Sequence, residues 1–191
     1  MKFRPYTLLS VALFSLILPA CKKSSGGGDG NTTTGSSEYY LNATVNGKAW
    51  SANVSNNSLN TPVLAAQTGS GSATLMLVLG IQAVNKDSSA FAIVFPKTIT
   101  LNKTVVFNPS QYMAGVYAPN ATSTYATSKN TSSDDSLTVT SFDQSAKIIE
   151  GTFKGTFYLS TGTGTVKVTD GKFRTPYVLD ASQLPPSNVK F

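Results

Sequence analysis

The strongest constraint in this sequence is a period of two. Near the start of the region after residue 38, Tyr39, Leu41, Ala43 and Val45 alternate with Tyr40, Asn42, Thr44 and Asn46. That spacing gathers apolar groups on one face of an extended chain, whereas a helix needs them every three to four residues. Asn46-Gly47 follows directly. Both residue types accept the positive φ of a two-residue hairpin turn, so Lys48 to Val54 returns as a second strand. Leu75 to Ile81, with Met76 and Val78 inside it, and Ala90 to Phe95 are near-continuous apolar runs, expected in mid-sheet with both faces covered. Further on, Leu137, Val139 and Ser141 alternate again, and Ile149, Gly151, Phe153, Gly155, Phe157 and Leu159 share one face of a long strand. Its glycines mark places where the strand bends or is closely approached. Asp143-Gln144-Ser145 reads as a turn, Asp170-Gly171 as a second hairpin signal, and Pro176 as the mark of an edge position. Nine or ten short strands separated by turns predict an all-β fold, an antiparallel two-sheet β-sandwich, with a closed β-barrel as the alternative.

The amino-terminal segment has a different composition. Lys2 and Arg4 precede an apolar stretch from Leu8 to Leu18, which Pro19 and then Cys21-Lys22-Lys23 interrupt. A membrane-spanning helix needs about 20 apolar residues, so this stretch reads as a signal peptide, residues 1–20. Leu18-Pro19-Ala20-Cys21 resembles a bacterial lipobox, with Pro19 a departure from the usual small residue. Cys21 is the chain's one cysteine. Acylation by diacylglycerol and a fatty acid such as palmitate consumes a thiol that would otherwise be reactive in an oxidising compartment. Several chains, at about 0.8 kcal/mol per buried methylene, exceed what stable anchoring requires. Residues 22–37 are rich in Gly, Ser and Thr and form a flexible linker with a root-mean-square span of about 20 to 24 Å. The expected organisation is therefore signal peptide 1–20, lipidated Cys21 with linker to 37, and one β domain over 38–191.

Composition removes many kinds of chemistry. With no histidine and one cysteine, the chain lacks His-based triads, internal disulfides and Cys/His zinc sites, and no cofactor or metal is implied. The formal charge of +6 falls to +4 without Lys2 and Arg4 and to +3 without the linker. The remaining lysines are scattered, so no nucleic-acid partner is expected. Asp87, Asp143, Asp170 and Asp180 occupy turn-like or tail positions, and Asp134-Asp135 reads as solvated loop charge. Asp143 and Glu150, joined by a turn, are the one local pair of carboxylates that a glycan hydrolase would use. Trp50 alternates with Ala52 and Val54, which places it in the core. Tyr112, Tyr117 and Tyr125 lie in a polar region, 109–135, that reads as the longest loop, with room for one short strand, and they are the candidate ligand-binding residues.

The combination of Asn46-Gly47-Lys48-Ala49-Trp50, Ser136 to Asp143, Gly151-Thr152-Phe153 and Val166 to Phe173 resembles uncharacterised lipoproteins of Gram-negative envelopes. That resemblance implies an extracytoplasmic β domain on a lipid tether and carries over no catalytic residue. The leading expectation is a non-enzymatic binding or structural accessory module of the envelope, lipid-anchored at the outer membrane, with a glycan or an envelope protein as partner. One alternative is a carrier whose apolar pocket is lined by Leu75, Leu77, Leu79, Phe91, Ile93 and Phe95; a remote one is a carboxylate-dependent hydrolase. Cys21→Ser is expected to leave an uncut precursor, detected by mass spectrometry of the amino terminus. An unmodified mature terminus on the wild-type chain would contradict the lipid anchor.

Overall fold

A computed structural model describes residues 39–54, 63–69, 74–84, 87–127 and 134–178. The signal segment, Cys21, the linker, Glu38 and the tail containing Asp180 lie outside the described residues. Eleven strands form, with no α-helix among the described residues. They are β1 (Tyr39–Val45), β2 (Lys48–Val54), β3 (Val63–Thr68), β4 (Leu75–Val84), β5 (Asp87–Pro96), β6 (Val105–Val106), β7 (Ala114–Ala118), β8 (Tyr125–Thr127), β9 (Ser136–Asp143), β10 (Ile148–Leu159) and β11 (Thr165–Val178).

The first hairpin forms as its sequence predicts. Tyr39 pairs with Val54 and Val45 with Lys48, while Asn46 at φ 48° and Gly47 at φ 79° make the turn. The Asn46 N–H donates to the Lys167 carbonyl, and its Oδ1 accepts the Lys167 N–H, which ties this turn to the start of β11. The one-sided pattern of β10 is also observed. Ile149, Gly151, Phe153, Gly155 and Phe157 are buried and their neighbours are not.

The fold is all-β and sandwich-like, built from one mixed sheet rather than two separate ones. One layer runs β2-β1-β11-β10-β9-β6 and the other β3-β4-β5-β7-β8. The two are joined at both sides. At one side Tyr177 and Val178 of β11 pair parallel with Ala65 and Ala66 of β3. At the other, Phe157 to Leu159 of β10 pair with Tyr125 to Thr127 of β8. Strands of 12 and 14 residues are long enough to serve both layers, which is how β10 and β11 turn the corners.

One turn signal and one edge signal resolve differently from their expectation. Asp170-Gly171 does not end a strand but forms a bulge inside β11. Thr169 and Lys172 face Thr44 and Asn42, so three steps on β11 match two on β1, and Asp170 absorbs the extra residue at φ 54°. Gly171 is needed there because a Cβ would meet the Phe153 carbonyl at 2.4 Å. Pro176 is not on an edge strand. It sits where β11 changes neighbour, after Arg174 opposite β1 and before Tyr177 opposite β3, so its missing N–H interrupts no ladder on that side. Region 109–135, expected as a loop with one short strand, contributes a 3₁₀ turn at Pro109–Gln111 and two strands, β7 and β8. Small residues in β7 hide its periodicity, and pairing of Ala114 to Ala118 with β5 imposes the strand.

Phe91 organises the core. Its ring meets Trp50 edge-on at 4.8 Å, stacks on Tyr117 at 4.6 Å, and lies 5.7 Å from Phe153 and 6.1 Å from Phe157. Met76, Val78, Ile93 and Phe95 fill the same interior. Leu75, Leu77 and Leu79 face away from it and are half-buried on the outer side of β4. The six residues expected to line a carrier pocket are therefore divided between two faces, because Met76 and Val78 take the inward positions. Beside them Ala92, Val94 and Val116 are buried on the outer face. The other layer turns Lys154, Lys172 and the Glu150–Arg174 ion pair outward.

Truncating the hub, Phe91→Ala, is expected to lower the free energy of unfolding by about 3 to 5 kcal/mol in urea titration. Gly171→Ala is expected to cost about 1 to 3 kcal/mol by overpacking against Phe153. Tyr158→Ala, on an exposed position, is the control expected to change stability by less than about 0.5 kcal/mol.

Candidate functional site

The turns and strand ends that meet at one end of the sandwich enclose a cleft. The β1–β2 turn contributes Asn46 and Lys48, the ends of β4 and β5 contribute Gln82, Ser88 and Ser89, and β7, β8 and β11 close the sides. Its volume is about 470 Å³, within the range of about 300 to 1,000 Å³ common for small-ligand sites.

Three aromatic side chains line it. Trp50, expected in the core, is 5% exposed and packs on Phe91, but its indole N–H points toward the cleft lining and donates to Ser89 Oγ at 2.7 Å. Ser89 Oγ in turn lies 3.4 Å from Gln82 Oε1, a long contact. Tyr117 extends the stacked row outward from Phe91, and Tyr125 continues it at 6.4 Å with a tilt of 33°. A continuous aromatic row thus runs from the core hub to the mouth, from most to least buried.

The structure brings together two of the three predicted tyrosines. Tyr117 and Tyr125 share the cleft. Tyr112 does not join them. It closes the 3₁₀ turn at φ 59°, is 53% exposed, and precedes β7, whereas Tyr117 lies near the other end of that strand. The strand steps from Ala114 to Tyr117 alone span about 10 Å. Trp50, Gln82, Ser88 and Ser89 belong to the site without having been singled out for it. The tip of the β4–β5 hairpin is the one signal available in sequence, since Gln82, Ser88 and Ser89 are polar between two apolar runs.

Asp143 and Glu150, the pair expected of a hydrolase, lie outside the lining. Asp143 Oδ1 accepts the N–H groups of Ser145 and Ala146, the turn role expected of it. Glu150 is paired across the ladder with Arg174. Asp135 departs from its expectation as solvated loop charge, being 1% exposed. Its Oδ1 accepts the Thr156 N–H at 2.7 Å, its carbonyl accepts the Phe107 N–H, and glycine at 155 leaves room for it. Among the described residues no group of three or more His, Cys, Asp or Glu side chains is placed to hold a metal ion. What the described lining offers is flat apolar surface beside hydroxyl and amide groups, with Lys48 as its one charged residue.

Set against known protein families, curated proteins and solved structures, the chain has no significant match.

Burial raises the Tyr117 phenol above its ordinary value near 10, and the charge of an ionised Tyr125 adds to the rise. Tyr177 is raised likewise, first by burial and then by Asp143. A phenol that ionises later in the native state than in the unfolded chain stabilises the fold below its unfolded value, and that contribution is lost as pH climbs through the native one. Unfolding free energy is therefore expected to fall as pH rises above about 10. Tyr117→Phe is expected to flatten that fall, measured by urea titration at stepped pH; an unchanged slope would contradict the assignment.

Proposed function

We propose that this protein is a non-enzymatic binding module of the cell envelope, lipid-anchored at the outer membrane through Cys21, and that its ligand or partner engages the end cleft. The single observation that supports the reading is the cleft itself. Its aromatic row is built from the core outward on Phe91, so the rings at the mouth are held in place before anything binds. Rigid aromatic surface flanked by hydroxyl and amide groups suits recognition, since little side-chain entropy is lost on contact.

Two further considerations favour binding over hydrolysis. A glycan hydrolase needs two carboxylates facing its substrate, and the lining has none among the described residues. Asp143 and Glu150, the pair nominated for that chemistry, are engaged in a turn and an ion pair. The tether is consistent with a module held near a surface, because a linker of that length keeps the domain within about 20 to 24 Å of its anchor.

The test is capture of envelope glycans and envelope proteins by the full mature chain, with the bound material identified. Tyr125→Ala is expected to reduce capture by about tenfold, in line with the loss of one aromatic contact at a recognition site. Tyr112→Ala, at the far end of β7, is expected to leave it unchanged. Capture that survives Tyr125→Ala at full strength would overturn the cleft reading.

A further inference from the structure

The cleft's chemistry narrows what it takes. We propose that its ligand is a sugar ring bearing a carboxylate, seated with an apolar face on Tyr125 and its acid group toward Lys48. This rests on the binding-module reading above and adds the ligand class.

The argument begins with the aromatic surface. Tyr125 is half-buried at the mouth, and its ring lies 6.4 Å from that of Tyr117 at an interplanar angle of 33°. A pyranose presents C–H groups on one face and hydroxyls around its rim, so it gains from a flat aromatic floor bordered by polar groups. A peptide side chain or a lipid tail uses the floor but leaves the rim groups unsatisfied. The rim here carries Gln82, Ser88 and Ser89, which can both donate and accept hydrogen bonds. Ser89 Oγ accepts the Trp50 indole N–H and donates to Gln82 Oε1 at 3.4 Å, which leaves it a lone pair to accept from a sugar hydroxyl.

Charge supplies the second part. Lys48 lines the cleft, and among the described residues no carboxylate lines it and no salt bridge to Lys48 is present. Covering that ammonium with a neutral ligand removes water without giving it a partner, whereas a ligand carboxylate supplies one. An acidic group elsewhere on the ring would meet only neutral side chains among the described lining residues. The lining therefore favours an acidic sugar over a neutral one of the same shape, and the preference must weaken with salt.

The chain contains one tryptophan, and it lies in this lining, so its fluorescence reports directly on occupancy. The experiment titrates the full mature chain with a glucuronate-terminated disaccharide and with the matching glucose-terminated one, at low and at high salt. The acidic sugar is expected to bind about three- to tenfold tighter at low salt, as befits a partly exposed ion pair, with the gap closing as salt rises. Lys48→Gln is expected to remove the preference and Lys48→Arg to keep it, while Tyr125→Ala is expected to lose both sugars. Tyr112→Ala, at an exposed position before the far end of β7, serves as the folded control. Equal binding of the two sugars, unmoved by Lys48→Gln, would overturn the acidic preference and leave the cleft reading intact. Failure of both sugars to bind would overturn the sugar assignment; the cleft reading itself falls only if captured envelope material is indifferent to Tyr125→Ala.

Discussion

The structure depends on one strand that serves two layers. β11 pairs with β10 along most of its length, with β1 up to Arg174, and with β3 over its last two residues. A straight strand cannot follow that path, and the bulge at Asp170 is where it bends. Gly171 beside it allows Phe153 to close over the backbone, so the bend and the packing of the core are set by the same pair of residues. β10 does the equivalent at the opposite side through β8. With both sides joined, the interior is one space, and the Phe91 cluster fills it.

The site follows from this construction. Joining the layers brings the β1–β2 turn, the β4–β5 tip and the starts of β8 and β11 to the same end. Asn46 binds the backbone of Lys167 twice, which holds the first hairpin against the strand that closes the core. The aromatic row then passes outward from Phe91 with no break in contact, so rigidity in the core becomes rigidity at the mouth. Ligand surface of this kind costs little to maintain, because the same rings are already part of the packing that stabilises the fold.

What could be read in the sequence was local, and what could not was shared between distant segments. The Asn46-Gly47 hairpin and the one-sided face of β10 each depend on neighbours along the chain, and both appear in the structure as their patterns predict. Asp170-Gly171 has the same residue chemistry in a turn and in a bulge; only the flanking strands β1 and β10, far away in sequence, decide which forms. Pro176 was misleading for the same reason, since the unpaired position it needs exists mid-strand where β11 changes partner. At the site, aromatic chemistry pointed to Tyr117 and Tyr125 but equally to Tyr112, and only the direction of β7 separates them. Trp50 was read as core, and it is, yet its N–H belongs to the cleft, because a large indole spans both environments.

Native-state hydrogen exchange tests most directly whether the joined layers form one cooperative unit. If β10 and β11 hold the two layers together, the slowest amides of β4 and β5 and those of β10 and β11 will exchange with the same opening free energy and the same dependence on denaturant. Two sets with different opening energies, one for β3-β4-β5-β7-β8 and one for the layer containing β11, would show that the layers open independently and would contradict the account.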